Sequence, residues 1–148
     1  MIAHRDARDE DLAFVIPTWS RTYKMSRQSG MIASEDWASV MHPQIRKVVA
    51  LPETRTVVAY ESTDPTVLYG FIAGDPIVPL VHFVLVKEAF RRAGCARGLF
   101  AALGVDPARR FFYTCWTPAC LHCADKIPLA QHEPKIARYA RTEERWRP

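Results

Sequence analysis

The most constraining feature of the sequence is an apolar run that leads into a basic, glycine-containing loop and then into a helix. Residues Leu80 to Val86 are apolar on both faces apart from His82, as is typical of a strand inside a sheet. After the loop Arg91-Arg92-Ala93-Gly94-Cys95-Ala96, the segment Arg97 to Leu103 has helical character and ends at Gly104. The sequence therefore predicts a strand, a loop and a helix in direct succession.

This loop has the properties of an anion site. The first N–H groups of a helix lack partners within the helix and point towards one place, where the helix dipole adds a favourable potential. Gly94 allows close approach of the backbone to a ligand, and the small residues Cys95 and Ala96 keep the approach open. A basic strand-to-helix turn without a ligand is the alternative interpretation. A pyrophosphate is the anion that we expect here.

Two familiar phosphate loops are excluded by the residues around Gly94. The Gly-Lys-Ser/Thr ending of a nucleotide P-loop is missing, and no second glycine stands two residues before Gly94 as in a dinucleotide-binding fold. The loop is therefore neither a nucleotide P-loop nor a dinucleotide-binding loop, and the expected pyrophosphate belongs to another kind of ligand.

Two helices are predicted before the sheet. The run Asp9-Glu10-Asp11 places acidic residues at the start of a helix that ends near Lys24 and is kinked or interrupted by Pro17. The segment from Ser34, an N-cap, to Ala50 forms a second helix. A separate helix after Pro43 stays open as an alternative.

The strands and the remaining helix complete an α/β (α+β) order of elements. The predicted strands are Ile2 to His4, Thr54 to Glu61, Thr66 to Ala73, Leu80 to Val86 and Arg110 to Trp116. Pro118 at a first helical position can open a short helix over Ala119 to Lys126. A chain of 148 residues, 49% of them hydrophobic, is long enough for one domain, 1–148, with its own core.

Charge and patterning narrow the classes of partner. Twenty Lys and Arg residues against sixteen Asp and Glu residues give a net charge of +4, which favours an anionic ligand but is modest for a dedicated nucleic-acid binder. No apolar stretch reaches the roughly 20 residues of a membrane span. Charges near the N-terminus argue against a signal peptide, so we expect a cytoplasmic protein with reduced cysteines and no membrane partner.

The pattern Arg91-x-x-Gly94-x-Ala96 resembles motif A of the GCN5-related N-acetyltransferase (GNAT) superfamily, Gln/Arg-x-x-Gly-x-Gly/Ala. The order of elements from Ile2 to Trp116 resembles that superfamily as well. The resemblance implies a mixed central sheet flanked by helices, with acetyl-CoA (coenzyme A) as co-substrate. It also implies an N-acetyltransferase in which a neutral amine attacks the thioester directly, approaching from the side opposite the cofactor.

The resemblance also implies a set of cofactor-binding residues. Main-chain groups of two strand residues would hold pantetheine like an added strand, where the sheet splays apart, and the loop would hold the pyrophosphate. These residues are Val84, Val86, Arg91, Arg92, Ala93, Gly94, Cys95, Ala96 and Arg97.

His82 is the candidate general base. It lies four residues before Val86, which predicts the same strand face. Arylalkylamine N-acetyltransferases are similar here, with a His at this position and a Phe-Arg-x-x-Gly loop like Phe90 to Gly94. The resemblance implies that His82 removes the amine proton, directly or through water. A buried histidine bonded to a neighbouring backbone group is the alternative.

The general acid is less clear because the superfamily's usual tyrosine is missing from the helix predicted after Pro118. The substitutes are Tyr113, His122, Cys120 and Cys123, or release of the thiolate without an acid.

The same cysteines, with Cys115 and two histidines, raise a zinc hypothesis. They do not form two separated ligand pairs, so we expect reduced thiols and no metal.

Other functions remain open at the sequence level. Phage Mom-type nucleic-acid base-modifying proteins resemble GNATs, and the arginine-rich tail Glu133 to Pro148 can serve a nucleic-acid partner. A non-catalytic binding module is the third hypothesis.

Only Ile136 to Ala140 weakly resembles a further strand, so the C-terminal part is either reduced or completed by a second chain in a homodimer. Aromatic residues that either line an acceptor pocket or belong to the core are Trp19, Tyr23, Trp37 and Tyr60.

Overall fold

A computed structural model of the chain describes residues 1–25, 34–114 and 130–132. These residues form a six-stranded mixed sheet whose strand order follows the chain order, with helices on both faces. Strands β1 to β4 are antiparallel to their neighbours, and β4, β5 and β6 are parallel. The elements are β1 Ile2–Asp6, α1 Leu12–Lys24, α2 Trp37–Val49, β2 Arg55–Glu61, β3 Asp64–Asp75, β4 Leu80–Val86, α3 Cys95–Leu103, β5 Phe111–Tyr113 and β6 Ala130–His132. The predicted mixed sheet flanked by helices is confirmed.

Two apolar clusters fill the space between the sheet and its helices. One, here the α1–α2 core, contains Val15, Ile45 and Phe83, and the indole of Trp19 stacks on Phe83 with ring centroids 5.1 Å apart. The other, the α3 core, joins the opposite face of the sheet to Leu99 and other residues of α3. Each face of the sheet is therefore covered by its own helix layer.

The helices before the sheet follow the prediction with two corrections. Pro17 and Pro43 both lie inside continuous helices, so α2 is not divided after Pro43. The predicted cap at Ser34 is wrong, because α2 begins at Trp37 and Asp36 precedes it. The buried Trp37 side chain, whose Nε1 donates to the Ser20 carbonyl at 2.8 Å, fixes this start through tertiary packing.

The hairpin, the central strand and the following helix are also confirmed. Helix α3 starts at Cys95, two residues before the predicted start, and ends as predicted before Gly104, whose φ is +93°. Strand β6 at Ala130–His132 was not predicted. The segments predicted as a helix over 119–126 and as a strand over 136–140 lie outside the described residues.

Among the helices that the structure describes, none has the length and apolar character that crossing a membrane requires.

Candidate active site

The loop between β4 and α3 owes its shape to two residues with left-handed backbone conformations. Arg92 has a φ of +68°, and Gly94 has φ +79° and ψ 0°. A Cβ atom on Gly94 would meet nothing within 4 Å, so glycine is needed there for its backbone conformation and not for want of space. A left-handed conformation is energetically unfavourable for a residue with a side chain such as Arg92. Residues with such backbone strain occur most often at functional sites.

The loop presents a row of backbone donors. Within the described part of the chain, the N–H groups of Arg92, Ala93, Gly94, Cys95, Ala96 and Arg97 donate to no acceptor. The first helical bond of α3 runs from the N–H of Gly98 to the carbonyl of Gly94, at 3.0 Å. Six successive amides are thus available at the positive end of a nine-residue helix.

The side chains around these amides differ in direction. Arg91, Arg92 and Arg97 are exposed, and so is Ala96. Cys95 is only 2% exposed and packs in the α3 core, where burial raises the pKa of its thiol. Cys95 therefore offers the loop its N–H alone, and the open approach predicted from two small side chains rests on Ala96.

Strand β4 pairs with β3 along one edge, and within the described residues its other edge pairs only at Leu80 and Val81. The N–H of Lys87 donates to the carbonyl of Tyr69 at 2.8 Å, and Leu85 pairs with Phe71. Because backbone groups alternate in direction along a strand, those of Val84 and Val86 point towards the opposite edge. The carbonyl of Val86 accepts from the Arg91 Nε there, at 3.2 Å.

Strands β4 and β5 touch only at one end. Leu80 pairs with Phe112 and Val81 with Tyr113, through bonds from β5 amides to the carbonyls of Pro79 and Val81. Among the described residues, no strand pairs with this edge of β4 after Val81. Within the described ranges, the edge of β4 at Val84 and Val86 is therefore unpaired, next to the loop amides.

A β-bulge places His82 at the point where the strands separate. Val81 is opposite Gly74 in β3 and Phe83 is opposite Ala73, so His82 is an extra residue without a partner. Val81 and Val86 both pack on the α3 core, whereas Phe83 packs on the α1–α2 core. The bulge therefore interrupts the alternation of faces at His82 itself. The prediction that His82 shares a face with Val86 assumed regular alternation, which the bulge interrupts between Val81 and Phe83, so it stays a prediction.

His82 is buried, with 3% of its surface exposed. Burial lowers the pKa of its imidazole to about 4, although the charges of Asp75 and Glu53 act in the opposite direction. Its Nδ1 lies 3.2 Å from the Thr114 Oγ1. The ring is therefore neutral near pH 7 and keeps one unprotonated nitrogen.

Comparison with solved structures finds similar folds. An acetyltransferase from Vibrio fischeri matches with a TM-score of 0.51 and 19% identity, over 78% of this chain and 97% of that protein. A protein described as a GNAT family acetyltransferase from Staphylococcus aureus matches with a TM-score of 0.51 and 16% identity, over 68% of this chain and 86% of that protein. The chain has the GNAT fold.

Sequence comparison adds nothing to this fold assignment. No protein-family model matches the chain, and no curated protein matches its sequence. The chain spans 64% of the length of apo YjaB from Escherichia coli, to which it is 19% identical with a TM-score of 0.48 over 70% of this chain.

Of the other candidates for proton transfer, one lies within the described residues and three lie outside them. Tyr113 is half-buried and packs against the α3 core. His122, Cys120 and Cys123 lie outside the described residues. Within the described ranges, no group of three or more metal-ligating side chains comes together.

Two residues beside His82 were missed by sequence reasoning. Thr114 contacts the imidazole ring, and Asp75 is a buried carboxylate whose charge acts on it. Thr114 is a polar residue in a predicted aromatic strand next to β4, which was a usable signal. Asp75 had none, because it lies in a turn-like Gly-Asp-Pro segment and its Oδ1 caps that turn by accepting from the N–H of Ile77 at 2.8 Å.

The four aromatic residues predicted either to line an acceptor pocket or to belong to the core differ in burial. Trp19 and Trp37 are buried in contact with neighbouring helices and strands, as core residues are. Tyr23 and Tyr60 are half-buried, with the Tyr23 ring 5.7 Å from Trp37 and the Arg5 guanidinium 5.1 Å from the Tyr60 ring. The two tryptophans therefore shape the α1–α2 layer from inside.

Proposed function

We propose that this protein is an N-acetyltransferase that uses acetyl-CoA. The observation that carries this proposal is the row of six backbone amides, Arg92 to Arg97, that donate to no described residue, beside an edge of β4 that no described strand pairs with after Val81. A pyrophosphate offers several anionic acceptors to such a row, and the helix dipole of α3 and the exposed arginines stabilise its charge.

This edge of β4 suits the pantetheine arm. Pantetheine contains amide groups that need both donors and acceptors, and the main chain at Val84 and Val86 offers both along this edge. The Val86 carbonyl already accepts a bond from Arg91, so a ligand bound there would replace this side chain. Bound in this way, the cofactor would extend from the donor row towards the β4 bulge.

His82 supports the chemical step that the GNAT resemblance implies. A neutral amine attacks the thioester carbonyl, a C–N bond forms and the C–S bond breaks. The nitrogen loses its proton to the imidazole, directly or through water, and the thiolate of coenzyme A takes up a proton. Because the pKa of His82 is about 4, the imidazole is unprotonated at neutral pH and free to accept. The resemblance implies that the acceptor amine approaches from the side opposite the cofactor.

Binding of acetyl-CoA tests the first half of the proposal. Titration calorimetry should show saturable binding to the wild-type protein and a loss of about 100-fold or more in affinity for Gly94→Glu, because a carboxylate would stand among the phosphate donors. Gly94→Gln is the matched control, since it has the same backbone strain and nearly the same volume without the charge. Equal loss in both variants, or no saturable binding to the wild type, contradicts the proposal.

Turnover tests the second half. Incubation with acetyl-CoA and a panel of amines, with free thiol measured over time, should reveal amine-dependent release of coenzyme A. Binding without release for every amine would favour the non-catalytic module instead. That module would be expected to block the loop amides with its own side chains, and no described residue does so. The arginine-rich tail that motivated a nucleic-acid substrate lies outside the described residues.

A further inference from the structure

The β4 bulge leaves His82 without a residue opposite it in β3. Its neighbours Val81 and Phe83 pair with β3, but His82 pairs with neither β3 nor β5. A buried carbonyl accepts hydrogen bonds only and is costly to leave unmet. The hydroxyl of Thr114 donates to the His82 carbonyl at 3.5 Å.

The same hydroxyl contacts the His82 ring. The Thr114 Oγ1 lies 3.2 Å from Nδ1, and the ring has no other hydrogen-bond partner among the described residues. A hydroxyl has one proton and two lone pairs. If its proton is directed to the His82 carbonyl, a lone pair faces Nδ1, and Nδ1 must then carry the ring proton.

We propose that Thr114 is a positioning residue that fixes His82 as the Nδ1–H tautomer, with Nε2 as the atom that accepts the proton. This inference rests on the two contacts of the Thr114 Oγ1, 3.2 Å to Nδ1 and 3.5 Å to the His82 carbonyl. Its catalytic meaning rests on the proposed N-acetyltransferase function. When Nε2 takes the proton from the amine nitrogen, the ring becomes an imidazolium that still donates from Nδ1 to Thr114, so this bond strengthens as charge develops.

Neighbouring carboxylates do not provide an alternative anchor for the ring. Asp75 acts on His82 by charge, but its Oδ1 accepts from the N–H groups of Ile77 and Val78, at 2.8 and 3.3 Å. Glu53 likewise acts on it only through its charge. The orientation of the neutral ring therefore depends on the Thr114 hydroxyl.

The direct test is the tautomer itself, read without any substrate. Long-range proton–nitrogen correlation spectra of the ¹⁵N-labelled full chain at pH 7 should show a protonated Nδ1 and an unprotonated Nε2 for His82. The signals are assigned by their loss in His82→Asn. A protonated Nε2 in the wild-type protein would overturn the proposal, because it would mean that the hydroxyl donates to Nδ1.

Two variants of Thr114 separate positioning from packing. Thr114→Val keeps the shape but removes the hydroxyl, and it should give a mixture of tautomers and a fall of about 10-fold in kcat, as for the loss of one hydrogen bond. KM for acetyl-CoA should not change. Thr114→Ser should restore the Nδ1–H tautomer and most of kcat. Loss of kcat in both variants with the wild-type tautomer unchanged in both would show a packing role and refute positioning.

Failure of this inference and failure of the proposed function give different results. A wild-type protein with the Nδ1–H tautomer but no turnover of any amine would refute the acetyltransferase and leave the positioning of His82 intact. Turnover with the opposite tautomer would do the reverse. If Thr114→Val does not fold, the wild-type and Thr114→Ser spectra still decide the tautomer.

Discussion

The donor loop and the β4 bulge form the two halves of the site by opposite physical means. The loop, Arg92 to Arg97, turns backbone N–H groups and exposed arginines towards solvent, so it suits a charged ligand. The bulge holds His82 away from water, where burial keeps the imidazole neutral. Binding at the loop should therefore depend on charge and salt, and proton transfer at the bulge on the ring's lone pair.

A substitution at His82 is expected to have the largest effect on kcat without affecting the binding of acetyl-CoA. His82→Ala should lower kcat by about 100- to 1,000-fold, in the range for loss of a general base, and leave the affinity for acetyl-CoA unchanged. Steady-state kinetics and calorimetry on the same preparations measure both.

The matched variant for that experiment is His82→Asn. Its side-chain amide can still donate to Thr114 but has no nitrogen lone pair to accept a proton. Both variants should therefore lose kcat to the same extent. Recovery of kcat in His82→Asn would mean that the ring serves the structure only, and weakened acetyl-CoA binding in both variants would mean that the two halves are not separate.

Low pH should destabilise the folded protein because the buried imidazole of His82 in the β4 bulge is neutral. The pKa of His82 is about 4 in the folded protein and about 6.5 when unfolded, so the unfolded chain binds more protons between these values. The free energy of unfolding should fall by about 3 kcal/mol from this group as the pH drops from 6.5 to 4. Urea unfolding of the wild type and of His82→Asn at pH 7 and 4.5 measures it. Parallel pH dependence in the two proteins would show that His82 is not buried as a neutral ring.

The smallest effect concerns two arginines near the loop. Arg97→Met should weaken acetyl-CoA binding about 3-fold at low salt, because one exposed charge near the phosphates is lost. Arg91→Met loses the same charge but frees the Val86 carbonyl, which the side chain now occupies, so its loss should be smaller. Calorimetry at two salt concentrations compares them. A larger loss in Arg91→Met would contradict the exchange of Arg91 for the cofactor at this carbonyl.

The donor loop was predictable because its determinants are local. The apolar strand, Gly94 and the start of α3 follow one another in the sequence, and a helix start has unpaired amides whatever surrounds it. The error at Cys95 was one of side-chain direction, which depends on how α3 packs on the sheet.

The bulge was not predictable because it is a property of two strands. Nothing in Leu80 to Val86 shows that Val81 and Phe83 are opposite successive residues of β3. The contact between His82 and Thr114 also needs the parallel pairing of β4 and β5, which joins residues far apart in sequence. Strand β6 was missed because three residues, Ala130–His132, are too few for any periodicity to appear.

The bulge has a consequence for what a shortened chain would look like. If His82 alone were deleted, Val81 and Phe83 would become neighbours opposite the adjacent residues Gly74 and Ala73, and the ladder between β3 and β4 would be regular. Inward and outward positions along β4 would alternate without interruption, and both cores would keep their residues. His82 is therefore an extra residue in the ladder between β3 and β4, and regular pairing continues on both sides of it.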